Sequence, residues 1–307
     1  QEFVKLLQKM TMKKNGKILP TVKVINCLLI ISACFLILTN CKQQTAVKSE
    51  KKSERIISVG GAATEIVYAL GADENLVGTD TSSIFPEAAT RLPQVGYQRQ
   101  LSAEGVLSLK PSLVMILPEA GPPTAIQQLE NAGLKILRVN NDSTIDGTKT
   151  KIRQIAEALN RKEKGEEIIK KLESEIAEAE KLVAEKKSKP KVVFIFSRGV
   201  GATQVGGTET PADAMIKMAG GENAITDFSQ YKPLTPEALV KAQPDVILLP
   251  TRALATLGGI EAVLNLPGVA ETPAGKNRKI VTIDDMLLLG FTPRLGQGVK
   301  ELCEKIH

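Results

Sequence analysis

The sequence contains no tryptophan, three tyrosines and one histidine, His307, which is its last residue. With no histidine elsewhere, Ser-His-Asp and Cys-His catalysis are excluded, and so are the multi-histidine sites that bind zinc or manganese. The phosphate-binding pattern G-x-x-x-x-G-K-S/T is absent, and Gly60-Gly61 does not continue as the dinucleotide-binding pattern G-x-G-x-x-G. The adjacent carboxylates Asp284 and Asp285 are predicted to be solvated on a loop. These features leave little support for an enzyme.

Cysteine is equally scarce where the chain is expected to fold. Of the four cysteines, Cys27, Cys34 and Cys41 lie within the first 41 residues, and Cys303 is the only one after them. A single cysteine cannot form an internal disulfide, so the folded part is expected to be stable without one, even outside the cytoplasm. Cys303 lies in VKELCEKI, a predicted terminal helix, which favours a small buried residue over a nucleophile.

The net charge of +6 would suggest a nucleic-acid or membrane-surface partner if the basic residues were spread over the chain. Residues 1–41 hold six of the 40 basic residues and one of the 34 acidic residues, which leaves 34 basic and 33 acidic residues in the remainder. The basic excess therefore belongs to the amino-terminal segment, and no nucleic-acid partner is predicted.

That amino-terminal segment has the pattern of a targeting sequence. A lysine-rich stretch from Met12 precedes the apolar run VINCLLIISACFLIL (24–38), which is shorter than the ~20 residues that span a bilayer. The sequence LTNC, ending at Cys41, resembles a bacterial lipobox, in which the cysteine is acylated and becomes the mature N-terminus. We therefore predict a lipoprotein signal segment over 1–41, lipidation at Cys41 and a flexible tether over 42–53. An uncleaved anchor and an ordinary signal peptide are the alternatives.

From residue 54 onward, short apolar runs alternate with helical stretches, which is the pattern of βα units and a mainly parallel sheet. Strands are predicted over 55–59, 113–117, 135–139, 192–197, 245–249 and 279–283. Helices are predicted over 64–70, 123–132, 144–159, 209–219 and 294–306. The fold class is therefore α/β.

Two segments displaced by 133 residues share one pattern: EGVLSLKPSLVMIL (104–117) and EALVKAQPDVILLP (237–250). Each contains a glutamate, a short apolar helix, a proline that ends the helix and a buried strand. We infer two lobes of like topology.

Between the two halves, KGEEIIKKLESEIAEAEKLVAEKKSKP (164–190) has apolar residues at helical spacing and Glu-to-Lys pairs four residues apart. About 24 helical residues span ~36 Å, enough to cross from one lobe to the other, and Pro190 is expected to end the helix. We predict an N-terminal lobe over 54–160, a connecting helix over 161–189 and a C-terminal lobe over 190–307. This arrangement resembles the helix-backboned substrate-binding proteins of bacterial ABC importers, and ligand is expected in the cleft between the lobes.

One tyrosine stands out, in PQVGYQRQLSAEG (93–105), where Tyr97 follows Gly96 and precedes Arg99 by two residues without helical or strand periodicity. A tyrosine phenolate suits ferric iron, and tyrosine is one of the few residues that ligate haem iron axially. A cation such as Arg99 stabilises a phenolate, and Gly96 would let the loop approach a flat ligand. On these residues alone, a tyrosine packed under the loop with its hydroxyl on a main-chain carbonyl is the simpler interpretation.

A family resemblance changes that interpretation. The segments 55–116, 207–225, 231–250 and 284–294 resemble the periplasmic haemin-binding proteins of ABC importers, relatives of the vitamin B12 binding protein, and VGYQRQLSAEG is specific to the haemin branch. The similarity covers about residues 55–307. It implies haemin as the ligand, Tyr97 as the axial ligand of its iron, Arg99 as the hydrogen-bonding partner of Tyr97, and an ABC permease dimer as the partner protein.

The resemblance also implies two surface glutamates, one per lobe, that dock into arginine pockets of the permease. The matching positions are Glu104 in LSAEG and Glu209 in GTETP. The alternative is that both are ordinary carboxylates stabilised by a helix N-terminus, and the two roles can coexist.

The second lobe is expected to supply apolar contacts to the porphyrin and cations to its propionates. DDMLLLGF offers Met286 and Phe291 for the apolar contacts, with plain core as the simpler alternative. Arg198 and Arg252 follow predicted strands and are cation candidates, or else solvated surface residues. Tyr231 is a weaker candidate for a second phenol in the cleft. Because the second lobe has no histidine to offer, five-coordinate tyrosine-ligated iron is expected.

The sequence thus predicts a monomeric, lipid-anchored, extracytoplasmic haemin receptor without enzymatic activity. A cobalamin or ferric-siderophore receptor is the alternative within the class. A siderophore would call for several cationic or tryptophan contacts, and cobalamin would not need Arg99 behind the tyrosine. An anchored haem-degrading enzyme and a structural lipoprotein are the alternatives from other classes.

Overall fold

A computed structural model of the protein describes residues 54–197 and 203–307. The predicted signal segment with Cys41, the predicted tether and Arg198 lie outside the described residues. The strands, in chain order, are β1 (Ile56–Val59), β2 (Leu76–Thr79), β3 (Gly96–Tyr97), β4 (Gln100–Leu101), β5 (Leu113–Ile116), β6 (Lys135–Arg138), β7 (Lys191–Ser197), β8 (Thr203–Gly206), β9 (Glu222–Asn223), β10 (Tyr231–Pro233), β11 (Val246–Pro250) and β12 (Ile280–Ile283).

Helices alternate with these strands as the sequence pattern predicts. In chain order the α-helices are α1 (Gly61–Ala69), α2 (Ala103–Ser108), α3 (Pro123–Asn131), α4 (Ile145–Ala158), α5 (Lys162–Ala184), α6 (Pro211–Met218), α7 (Pro236–Ala242), α8 (Thr251–Leu257), α9 (Ile260–Leu264), α10 (Pro273–Lys276), α11 (Asp285–Leu289) and α12 (Leu295–Ile306). Two 3-10 helices cover Asp73–Asn75 and Glu87–Arg91.

The strands form two main sheets, one in each lobe. The first has the order β2-β1-β5-β6 and is parallel throughout. The second has the order β10-β8-β7-β11-β12, with β9 beside β7; its pairs are parallel except those of β8 with β7 and with β10. The mainly parallel α/β fold is confirmed. The antiparallel pairs were not predicted, because β8 and β10 are short and mostly polar.

The long helix α5 lies between the lobes in the chain and buries one apolar face. Ile169, Leu172, Ile176 and Ala179 on that face are buried. The helix ends at Ala184, before the predicted stop at Pro190, so the predicted end was wrong. The residues that follow, EKKSK, offer no apolar side chain to continue the buried face, so nothing favours further helix there.

Three apolar clusters show where the core lies. The largest includes Ile56 and Met115 from the first sheet, Phe194 from the second sheet and Leu172 from α5. The other two clusters are each confined to one lobe. They lie on the opposite face of each sheet, because successive residues of a strand face opposite sides of the sheet. The two lobes therefore share one apolar core, which resists a large change in their relative position.

The repeat seen in the sequence is also present in the backbone. Ser102 caps α2 by accepting a hydrogen bond from the amide of Gly105, and Thr235 caps α7 in the same way. After each helix a residue adopts a left-handed conformation, Lys110 with φ 48° and Gln243 with φ 45°, before a proline and a buried strand. The two segments are therefore structurally equivalent.

Candidate functional site

Tyr97 lies on a short β-hairpin and not on the irregular loop that the sequence predicts. β3 and β4 pair antiparallel, with Tyr97 opposite Gln100, so that Gln98 and Arg99 form a two-residue turn. Gly96 has φ 100°, and a Cβ at this position would lie 2.7 Å from the carbonyl oxygen of Gln100. Only glycine adopts this conformation without strain, so Gly96 allows the chain to turn into the hairpin with its backbone close to that of Gln100.

Main-chain hydrogen bonds hold the hairpin at the carboxyl-end edge of the first sheet. The amide of Thr81, just after β2, donates to the carbonyl of Gly96 over 2.9 Å, and the amide of Gly121, after β5, donates to the carbonyl of Gln98 over 2.9 Å. The amide of Leu101 in turn donates to the carbonyl of Gly121 over 2.7 Å. Tyr97 is half-buried at this edge, where open α/β folds bind their ligands.

The glycine pair between β1 and α1 lets other elements approach. A Cβ at Gly60, whose φ is 104°, would lie 2.5 Å from the Leu117 side chain and 3.3 Å from the Gln98 side-chain oxygen. A Cβ at Gly61 would lie 2.7 Å from the sulfur of Met286, which belongs to the second lobe. The pair therefore allows both the hairpin and the second lobe to pack closely against the end of β1.

Met286 and Phe291 have different positions. Met286 is half-buried and reaches the first lobe at Gly61, so it lies between the lobes. Phe291 is 2% exposed within the shared core, so it offers almost no surface for the predicted contact with a ligand. Its φ of 48° accompanies a backbone turn between α11 and α12, and the ring is buried in the core.

Asp284 and Asp285 do not form the solvated loop that was predicted. Asp284 caps α11 by accepting hydrogen bonds from the amides of Met286 and Leu287. Asp285 accepts a hydrogen bond from the amide of Arg252 over 3.2 Å. Burial raises the pKa of Asp285, against the opposing effects of that hydrogen bond and of the Arg252 charge. Both carboxylates therefore hold the beginning of α11.

Tyr231 lies on β10 and packs in an aromatic cluster of the second lobe. Its ring centroid is 6.3 Å from that of Phe194 and 6.2 Å from that of Phe196. Burial raises the pKa of Tyr231 to about 12, although the charge of Arg99 and a hydrogen bond with Thr210 lower it. Tyr231 is therefore protonated at neutral pH. The Arg99 charge, which lies on the first-lobe hairpin, is thus one of the contributions to the pKa of this second-lobe tyrosine.

Of the three candidate cations for the propionates, the structure describes Arg99 and Arg252. Arg99 and Arg252 are both exposed, and Arg252 lies in the first turn of α8, directly after β11, as the sequence predicts. Arg198 lies outside the described residues. Over the described ranges 54–197 and 203–307, no group of three or more His, Cys, Asp or Glu residues could hold a metal ion.

Residues 56–287 match the family described as periplasmic binding protein, which is more than half of the chain. The chain belongs to the periplasmic binding protein family. An uncharacterized ABC transporter substrate-binding lipoprotein of Bacillus subtilis (strain 168), YvrC, is 31% identical, over 86% of this chain and 83% of the relative. A vitamin B12-binding protein of Vibrio vulnificus (strain CMCP6) is 27% identical, over 82% of this chain and 89% of the relative.

Solved structures of periplasmic binding proteins support the same placement. RhuT from Roseiflexus sp. RS-1, a periplasmic heme-binding protein in apo form, is 43% identical with a TM-score of 0.80, over 83% of this chain and 98% of RhuT. BhuT, a periplasmic heme-binding protein in complex with two hemes, is 42% identical with a TM-score of 0.78, over 82% and 97%. The predicted fold and family are confirmed, and this periplasmic binding protein is a substrate-binding protein of an ABC importer.

Its two predicted docking glutamates occupy different local settings. Glu104 is exposed in the first turn of α2. Glu209 is exposed as well, but it precedes the cap of α6 and has φ 59°. In the structural repeat the counterpart of Glu104 is Glu237, which lies in the first turn of α7 and is also exposed. The sequence reasoning noted the repeat but did not use it to choose the second glutamate.

Sequence reasoning also missed Phe196 in this periplasmic binding protein. Phe196 is half-buried near the carboxyl end of β7, stacks on Phe194 with ring centroids 6.5 Å apart, and packs beside Tyr231. The alternation in KVVFIFS contained the signal, because residues two apart on a strand share a face.

The helices that the structure describes include none with the length and apolar character of a membrane span.

Proposed function

We propose that this periplasmic binding protein captures haemin between its lobes, with Tyr97 as the axial ligand of the ferric iron, and delivers it to an ABC permease. The observation that carries the proposal is the position of the hairpin, which holds Tyr97 and Arg99 at the carboxyl-end edge of the first sheet, the edge at which Met286 of the second lobe packs on Gly61. Haem binding by RhuT and BhuT, at 43% and 42% identity, supports the choice of ligand.

Tyr97 is the better candidate for the iron ligand of the two phenols. A ferric ion binds the phenolate, so it must displace the phenolic proton. Burial holds the pKa of Tyr231 at about 12, which makes that displacement costly. Tyr231 instead suits a hydrogen bond to a propionate or to an iron-bound water. Arg99, which lies on the same hairpin as Tyr97, would stabilise the Tyr97 phenolate and pair with a propionate.

The apolar face of the porphyrin would rest on side chains from both lobes. Phe196 and Met286 are the second-lobe candidates, since Phe291 is buried in the core. Burial of apolar surface contributes ~25 cal/mol per Å², so a large flat ligand gains more affinity from this contact than from its polar groups. Arg252 and Arg198 are proposed as further cations for the propionates.

We propose Glu104 and Glu237 as the pair that docks on the permease. Repeat equivalence supports them, because each lies in the first turn of a helix that begins with a Ser or Thr cap. An exposed apolar residue follows each by three positions, Leu107 at 38% and Val240 at 41% exposure. Each lobe would thus present a glutamate and an apolar side chain. Glu209, favoured by the family resemblance, is the alternative.

Lipid anchoring at Cys41 completes the proposal. The lipobox-like LTNC sequence supports it, and so does the similarity to YvrC, which is described as a lipoprotein. The anchor would keep the receptor at the outer face of the membrane that contains its permease.

Absorption spectroscopy of residues 42–307 tests the proposed ligand. Haemin added to the protein is expected to give a Soret band with the features of high-spin ferric iron bound by phenolate. Cyanocobalamin, the rival suggested by the vitamin B12-binding relatives, is expected to leave the melting temperature unchanged. Stabilisation by cyanocobalamin without a Soret shift on adding haemin would reverse the assignment.

A further inference from the structure

Lys151 is a fully buried lysine that joins the two lobes. It lies on α4, which packs against α1 and α5, and it is 0% exposed. Its ammonium nitrogen donates to the side-chain oxygen of Asn141 over 2.6 Å and to the main-chain carbonyls of Gly290 and Phe291, each over 3.2 Å. The two carbonyls belong to the segment between α11 and α12, in the second lobe.

The number of acceptors matches the number of protons on an ammonium group. A buried charge is costly unless it is fully hydrogen-bonded, and a lysine ammonium has three donors. A neutral amine has two, so loss of the proton would leave one of the three acceptors without a donor. Burial lowers the pKa of Lys151 to about 8, while the charges of Glu119, Glu65 and Asp142 raise it. Arg294, the nearby cation, pairs with Glu65.

The segment that accepts these bonds is held at a strained backbone position. Phe291 has a positive φ of 48°, which is unfavourable for a bulky residue and persists only when the surroundings hold it. Arg294 holds the other end of the segment by a two-fold hydrogen bond to Glu65, at 2.9 Å and 2.7 Å, and packs on the ring of Phe85. Groups of the first lobe therefore grip this second-lobe segment at both ends.

The same contacts extend to the two sides of the cleft. Asn141, which binds Lys151, donates from its side-chain nitrogen to Glu119 over 2.9 Å, and Glu119 follows β5 at the sheet edge where the hairpin lies. On the other side, the gripped segment directly follows α11, which carries Met286 against Gly61. A change in the hydrogen bonds of Lys151 would therefore shift both the sheet edge that carries the hairpin and the helix that carries Met286.

We infer that Lys151 is a positioning residue, which sets the angle between the lobes through the carbonyls of Gly290 and Phe291 and thereby limits how fast ligand leaves the cleft. The effect on the lobe angle is independent of the ligand, whereas the effect on haemin release rests on the proposed function. Because the shared core restricts motion, the expected change in angle is small but uniform over the cleft.

The test uses residues 42–307 with spin labels at Gln128→Cys on α3 and Asn265→Cys after α9, one per lobe. Without ligand, Lys151→Met is expected to broaden the distance distribution between the labels, because it keeps the aliphatic stem and removes all three donors. Haemin transfer to apomyoglobin is expected to be about three- to tenfold faster, the effect of losing one or two net hydrogen bonds. Lys149→Met is the matched control, since Lys149 pairs with Asp146 and Glu173 and contacts no second-lobe carbonyl in any described hydrogen bond.

A pH series on the unsubstituted protein gives a second reading that does not depend on the folding of a variant. Both the distance distribution and the transfer rate are expected to change as pH rises through about 8, and Lys151→Met is expected to lose this dependence. An unchanged distance distribution in folded Lys151→Met, or no response of the parent between pH 7 and about 9.5, would overturn the inference. If haemin does not bind but the distances respond, the proposed function fails and the positioning role stands.

Discussion

Tyr97 of the first lobe and Tyr231 of the second lobe lie on backbones of different kinds. Tyr97 lies on a two-residue turn hairpin at the edge of a parallel sheet, beside Arg99 in the chain. Tyr231 lies on an antiparallel edge strand and packs against two phenylalanines, where burial raises its pKa to about 12. The comparison suggests a division of labour, with the first lobe supplying the iron ligand and the second supplying an apolar surface with a neutral hydroxyl.

The sharpest test of this division exchanges each phenol for a phenyl ring. Tyr97→Phe is expected to lose the phenolate-ligated spectrum and at least ~100-fold in haemin affinity, because removal of a ligand costs more than the 10–100-fold typical of its supporting groups. Tyr231→Phe is expected to keep the spectrum and lose about 2–10-fold, the effect of one hydrogen bond. Haemin titrations with absorption spectra measure both. If Tyr231→Phe alone abolishes the spectrum, the roles of the lobes are reversed.

Removal of the cation tests whether Arg99 supports the first-lobe phenol as an iron ligand. Arg99→Gln is expected to weaken haemin binding about 10-fold at pH 7. The reason is that the guanidinium charge would stabilise the phenolate bound to ferric iron and pair with a propionate. The same substitution should raise the already high pKa of Tyr231, since the Arg99 charge lowers it. A variant with unchanged haemin affinity would separate Arg99 from Tyr97.

The docking pair tests whether the lobes are equivalent on their outer surface. The double variant Glu104→Ala with Glu237→Ala is expected to slow haemin uptake into cells about 10-fold without a change in haemin affinity. Glu209→Ala is the matched control, because Glu209 is also exposed near a helix start but lies outside the repeat. Uptake that depends on Glu209 and not on Glu237 would favour the family-based assignment over the structural repeat.

A further prediction concerns the apolar surface of the second lobe. Phe196→Ala is expected to reduce haemin affinity about 3–10-fold, the contribution of an aromatic contact, and to leave the spectrum unchanged. Phe228→Ala serves as the control, since Phe228 is half-buried in the same lobe but packs against the apolar cluster that is confined to that lobe. Equal losses in the two variants would show a general effect on the second lobe and not a contact with the ligand.

The sequence was most informative where the signal is local. All six predicted strands and all the predicted helices correspond to elements of the structure, because apolar runs and helical spacing report burial directly. The end of α5 was misplaced, because a proline sets only the latest residue at which a helix can end. The helix ends earlier, where no apolar side chain continues its buried face. The hairpin at Tyr97 was missed, since strands of two residues are too short to show a period of two.

The candidate site divides in the same way. Tyr97 and Arg99 could be singled out from chain neighbours and a family pattern. The sequence could not show that Met286 and Phe291 have different positions, because both lie in one apolar run. The turn between α11 and α12 buries Phe291 in the core, whereas Met286 lies between the lobes. Lys151 gave no signal at all, since a lysine in an amphipathic helix is normally solvated and two of its three acceptors lie 139 and 140 residues away.

By itself the sequence determined the α/β class, the two-lobe repeat, the connecting helix and the tyrosine that the proposed chemistry requires, because each depends on the spacing of residues along the chain. Only the tertiary structure decided which groups meet across the lobes: Met286 on Gly61, and Lys151 on the carbonyls of Gly290 and Phe291. The physical reason is that such contacts are set by how two sheets pack on one shared core, and packing of that kind has no period in the sequence.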